Sequence, residues 1–215
     1  MSAVLLVLSL AAFTPGRAQD VVSLTVEEIQ ARIEAANDGP PEEKASLVET
    51  YQQALLAIGR AAEARTRSQQ FLADATGAPG LITSYREELA NSPADPPLLI
   101  DETLGLEVLV SRLEQSRAEL AASRAALAEI DASSEHRSKR MAALPEEIAA
   151  GLQNLSSTEE ALTGLSDGIE SDARRVLLQA QEDEQRATVA SLEMERESYE
   201  ARRELLPLRR DRALR

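Results

Sequence analysis

Between Leu104 and Leu155, steps of three and four residues land on Leu109, Leu113, Ser116, Leu120, Ser123, Leu127, Ile130, Ser134, Arg137, Met141, Leu144, Ile148, Leu152 and Leu155. Most of these are large and apolar, and most of the exceptions are serines. Glu, Arg, Ala and Gln, all good helix formers, fill the positions between them. Alternating steps of three and four average about 3.5 residues, the period of a helix that offers one narrow apolar seam to another helix. At about 1.5 Å per residue the pattern makes a rod roughly 70 Å long. Such a rod needs a partner helix, from this chain or from another, and the apolar positions of this packing seam are the ones expected to meet it.

Other stretches read as partners or connections. Thr25-Val-Glu-Glu28 is a capping box, with Ile29, Ile33 and Ala36 on one face of the short helix that follows. Asn37-Asp-Gly-Pro-Pro41 stops that helix. A second helix is expected from about Pro41, with Glu42 and Glu43 in its first turn and a seam of Leu47, Tyr51, Ala54, Ile58, Ala61, Arg65, Ser68 and Leu72. Gly77, Pro79 and Gly80 are expected to break it and leave a short helix over about Leu81 to Ala90. The prolines between Ser92 and Pro97 force an extended joint, after which Asp101 or Thr103 can cap the rod. Pro145 predicts a kink or break near Ala142 to Leu144. Ser156-Ser-Thr-Glu159 can recap a short helix, Asp167-Gly168 makes a turn, and a last helix runs from about Ser171 past Leu205, with Pro207 bending its end.

No segment alternates Val, Ile, Thr and aromatics at period two for the length of a strand. The expected fold class is therefore all-α: an elongated bundle of long antiparallel coiled-coil helices with short connecting helices. The expected divisions are 1–18, 19–97 and 98–215, the last two forming one extended helical domain.

Composition narrows this further. Aromatics are 2% of 215 residues and Trp is absent, so the apolar content, mostly Ala and Leu, suits long helices with thin seams rather than a thick core. The net charge is −14. From Gln19 to Glu107 there are 6 Lys/Arg against 16 Asp/Glu, while from Asp172 onward the two are equal at 10 each. A chain that repels phosphate overall argues against a nucleic-acid partner. Cysteine is absent, which excludes disulfides and thiolate chemistry. The run from Ala3 to Phe13 is apolar except for Ser9, is too short to span a bilayer, and leads to Gly16 and Ala18. Residues 1–18 thus read as a cleaved secretory signal, although no basic residue precedes the apolar run. No later segment is apolar enough to cross a membrane, so the mature chain is expected to be exported.

The run LVETYQQALLAIGRAAEARTRSQQFLADATGAPGLITSYREELANSP resembles the opening of the periplasmic region of large mechanosensitive channels of the MscS type, the so-called porin domain. Three features carry the likeness. The first is a Tyr51, Ala54, Leu55 helix leading to Phe71 and Leu72. The second is a Pro-Gly-led segment ending in Glu88 and Leu89, then a proline spacer and a Leu-rich rod. The third is a tail that ends in Leu205, Leu206, Leu208, Arg210 and Asp211. The likeness covers about residues 25 to 215. It implies a non-catalytic periplasmic helical domain of an osmotic-stress channel, structural or modulatory, held at the inner membrane through a channel region that this sequence does not contain. Its implied partners are helices of the same chain or subunits of a homo-oligomeric channel. The word porin implies no pore here, since a membrane barrel needs alternating strands of about ten residues.

Single residues add little chemistry. His136 stands alone among Ser134, Glu135, Arg137 and Lys139, and no metal, cofactor or catalytic residue is expected. Arg137 falls on the seam. Two readings stay open for it: a packed stem whose charge reaches water, or a charge that sets register against a partner helix. Glu42-Glu43 and Glu146-Glu147 sit at expected helix starts, where the dipole accounts for them. Arg209, Arg210, Arg212 and Arg215 either balance a helix C-terminus or meet acidic lipid head groups. The alternative to a channel domain is a free-standing periplasmic coiled-coil scaffold or adaptor.

Overall fold

A computed structural model describes residues 25–37, 41–91 and 105–214. They form α1 (Val26–Asn37), α2 (Pro41–Asn91), α3 (Leu106–Thr163), α4 (Ile169–Ala201) and α5 (Leu205–Ala213), with no strand among the described residues. The protein is an all-α bundle. The capping box at its start is formed. The Thr25 amide donates to Glu28 Oε2 at 2.9 Å, and the Glu28 amide donates to Thr25 Oγ1 at 3.2 Å. The expected caps Asp101 and Thr103 and the expected signal at residues 1–18 lie outside the described residues, as do the side chains of Glu42 and Glu43.

The centre of the bundle is α4. It packs on α2 along one face and on α3 along another, and the backbones of α2 and α3 do not pack directly. The ion pairs give the directions. From Arg60–Glu184 through Asp74–Arg202 to Glu88–Arg212, both numbers rise, so α2 and α4 run parallel. From Asp131–Arg210 through Arg140–Glu195 to Glu159–Arg186, one rises as the other falls, so α3 and α4–α5 run antiparallel. The antiparallel expectation therefore describes α3 against α4. The parallel pair follows because α3 carries the chain back to the starting end before α4 sets out.

Small residues dominate the α2–α4 contact. Ala54, Ala57, Ala61, Ala64 and Ala78 on α2 are completely buried, and Ala173, Ala180 and Ala187 on α4 nearly so. With only a methyl group at the contact, two helices approach closely and exclude water with little side-chain volume or entropy at stake. A thicker cluster closes the end where α1 folds back: Ile29, Ala36, Tyr51 and Val176, with Ile33, Leu47 and Ile58 around them. Leu72, expected on the α2 seam, is instead 48% exposed. The buried line follows Ala57, Ala64 and Ala78, which the larger neighbours disguise in the sequence.

The helix ends expected near Gly77–Gly80 and Ser156–Glu159 are not formed, and Pro145, expected to kink or break the rod, does not break it. Pro79 lies inside α2 and Pro145 inside α3. Both prolines are exposed. Contacts flank each of them. For Pro79 these are the buried Ala78 and the pairs Asp74–Arg202 and Arg86–Glu204; for Pro145 they are the buried Leu144 and Ile148. The Ser156–Glu159 segment does not restart a helix either. Ser157 and Thr158 donate to the carbonyls of Gln153 and Asn154 four residues back, and α3 continues to Thr163. Gly168, in the expected turn, has φ +143°, a region that favours glycine. The bend expected from Pro207 is a full break at residues 202–204, between α4 and α5.

Candidate functional site

Where that break occurs, three helices meet around a cluster of charges. The Arg203 amide turns back to the Glu200 carbonyl, three residues away, instead of taking the Tyr199 carbonyl four away. This is the local tightening that Pro207, without an amide of its own, imposes on the preceding turn. Arg137 of α3 reaches across and donates to the exposed end of α4, to the carbonyls of Tyr199 and Arg202, the latter at 3.0 Å. Its guanidinium also stands 5.6 Å from the centroid of the Tyr199 ring, and Arg202 stands 5.5 Å from the same ring. Arg202 in turn pairs with Asp74 of α2 at 2.7 Å.

One turn along, Arg140 of α3 grips Glu195 of α4 with two parallel bonds of 2.8 Å each and also pairs with Glu147. Glu195 is only 7% exposed, so this two-pronged contact satisfies a carboxylate that water hardly reaches. The bonds to Glu195 and Glu147 raise the pKa of Arg140. Arg137 moves the other way: burial lowers its pKa, and the neighbouring Arg202 adds to the effect. Burial also raises the pKa of the Tyr199 phenol, helped by the carboxylate of Glu195. Of the two readings of Arg137, the second gains a contact: its charge meets backbone carbonyls of α4, while the side chain stays half-buried.

Chemically this is a clamp. It holds charges in fixed geometry and aligns α2, α3 and α4 at one level. His136 is exposed on the rim of a groove of about 460 Å³ that Arg137, Tyr199, Leu206 and Arg209 also line. Among the described residues no group of three or more His, Cys, Asp or Glu side chains is placed to hold a metal ion. The Arg209–Arg212 segment forms part of α5, where Arg210 faces Asp131 and Arg212 pairs with Glu88 at 3.3 Å and stacks on Tyr85.

The packing seam divides into two parts. Leu144 is completely buried and Ile148 nearly so, while Leu127, Ile130, Met141 and Leu155 are half-buried. Leu152 is 50% exposed, turned away from α4. Nearer the start of α3, Leu109 is half-buried, and Leu113 and Leu120 are half-exposed. Two features escaped the sequence reading. One is the central seam of α4, through Ala173, Val176, Ala180, Ala187, Ser191, Glu195 and Ser198. Its small residues do recur at helical spacing. The other is the pairing of Arg140 with Glu195, which are 55 residues apart and carry no sequence signal.

This arrangement has a counterpart in sequence. Residues 31–214 match the family described as the mechanosensitive ion channel porin domain. The chain belongs to that family. The match takes in all of α2, α3, α4 and α5, so the porin domain of this protein is the bundle itself. No curated protein and no solved structure matches the chain significantly.

Proposed function

We propose that this porin domain is the non-catalytic periplasmic part of a mechanosensitive channel that serves the response to osmotic stress. Residues 1–18 direct export, 19–215 fold as one helical unit, and a channel region outside this sequence holds the unit at the inner membrane. The observation that carries the reading is the family match across residues 31–214. The geometry agrees with a mechanical part. A clamp of buried and half-buried charges fixes the register of three long helices, and such a unit moves as a body when one end is pulled. Among the described residues no helix is long and apolar enough to cross a membrane.

Patch recording from cells that express the complete reading frame, with and without residues 26–213, tests the proposal. Tension-gated currents whose threshold or closing rate changes on deletion support a modulatory role. Absence of any tension-gated current from the complete frame overturns the channel reading. A free-standing envelope scaffold is the second reading, favoured by one observation: the apolar residues on the first part of α3 are exposed among the described residues.

A further inference from the structure

The groove beside the break between α4 and α5 holds positive charge that the described residues leave unanswered. Arg137 lines it, and both hydrogen bonds of its guanidinium run to backbone carbonyls, not to a carboxylate. In a chain with 37 Asp and Glu against 23 Lys and Arg, a half-buried arginine without an acidic partner among the described residues stands out. Burial and the neighbouring Arg202 both work against its charge. A guanidinium carries five N–H donors, so these two bonds leave donors over. Arg209 lines the same groove, is exposed, and also meets no carboxylate among the described residues. Arg202, the third arginine here, is already balanced by Asp74 at 2.7 Å. One carboxylate, that of Glu129, belongs to the lining. With His136 counted neutral, the two unpaired arginines less Glu129 leave a surplus of one positive charge.

Much of the remaining wall is apolar. Leu205 is 9% exposed and Leu206 half-buried, with Ala132 and Tyr199 beside them. The volume of about 460 Å³ falls in the range of small-molecule pockets, which are mostly apolar with a few placed polar groups. We infer that this groove binds a small organic monocarboxylate, with Arg137 and Arg209 taking the carboxylate and Leu205 and Leu206 the apolar body. A carboxylate accepts the paired N–H groups of a guanidinium. A phosphate monoester carries about −1.5 to −2 at pH 7, so its second charge exceeds the surplus and is repelled by Glu129. A small inorganic anion leaves the apolar wall to water. Arg137 and Ala132 belong to α3, Tyr199 to α4 and Leu205 to α5, so an occupant ties these three helices together at the break. The inference does not rest on the channel reading.

His136 is the only histidine of the chain and sits on the rim, so its imidazole proton resonances report on this groove directly. The full chain is titrated with octanoate at fixed pH, and separately with acetate, octanol and octyl phosphate. The expected result is a saturable shift of the His136 resonances with octanoate, at a dissociation constant at least tenfold below those of the other three. Arg209→Gln, at an exposed position, should weaken octanoate binding several-fold, and Leu206→Ala should do the same. Arg137→Gln should weaken it at least as much; circular dichroism checks each fold, and Arg209→Gln decides if Arg137→Gln loses it. No saturable shift with octanoate would overturn the inference. So would acetate bound as tightly as octanoate, which means an adventitious ion only. Octanol bound as tightly, octyl phosphate bound more tightly, or an octanoate affinity unchanged in Arg209→Gln would overturn it as well.

Discussion

The two ends of α3 carry the same seam and meet opposite fates. Leu144 and Leu113 are both large, both in phase, and both on one uninterrupted helix, yet one is completely buried and the other half-exposed. The difference lies in what stands opposite. Leu144 faces α4, whereas Leu113 lies beyond the point where α5 ends. Periodicity declares a wish for a partner; only the reach of the neighbouring helix decides whether the same chain supplies it.

The sharpest way to break that contrast is to truncate both residues. Leu144→Ala should destabilise the fold by about 2–5 kcal/mol, since it removes a fully packed side chain and leaves a cavity. Leu113→Ala should stay within about 0.5 kcal/mol in the isolated chain. Urea midpoints measure both, and equal losses would mean that the first part of α3 is covered within the chain. Next in size is the clamp. Glu195→Ala leaves Arg140 half-buried without its main partner and should cost about 3 kcal/mol. Truncating the exposed partner of an ordinary surface pair, as in Glu135→Ala beside Lys139, should cost about 0.5 kcal/mol or less.

A smaller effect tests the alanine-lined face of α2 from its outer side. A Cβ added at Gly77 meets nothing within 4 Å, so Gly77→Ala should raise stability by about 0.5–1 kcal/mol through helix propensity alone. At Gly151 the added Cβ would stand 2.7 Å from Val189 Cγ2, and the same change there should give no gain or a loss in thermal midpoint. The smallest effect is in pH dependence. The Tyr199 phenol has a raised pKa in the folded state, so its contribution is fully present below the ordinary tyrosine pKa of about 10 and is lost as pH rises through the folded value. Tyr199→Phe should flatten the fall in stability between about pH 9 and 11. An unchanged slope would show that Tyr199 does not drive the fall.

Much of the bundle was legible in advance. Helical period, the Thr25–Glu28 capping box, the glycine turn at 168 and the absence of strand patterns are local matters, and local chemistry settles them. The proline breaks were misread for an equally physical reason. Pro79 and Pro145 sit inside continuous helices, whereas Pro207 lies just beyond a real break, so a proline by itself does not fix where a helix ends. The clamp was invisible for another reason. Arg140, Glu195, Arg137 and Tyr199 are ordinary residues until two helices bring them level.

What the sequence by itself determined is the material: helices, their approximate spans, thin seams, an acidic surface and the family. What only the tertiary structure decided is the arrangement: that α4 is central, that α2 runs parallel to it on a line of alanines, that Arg137 and Arg140 of α3 reach the same stretch of α4, and that the first part of α3 is exposed among the described residues. Helix formation depends on neighbours three and four residues away, which any sequence displays. Choice of partner and register depends on side chains that meet across tens of residues of intervening chain, where one seam of Ala, Ser and Leu looks much like another.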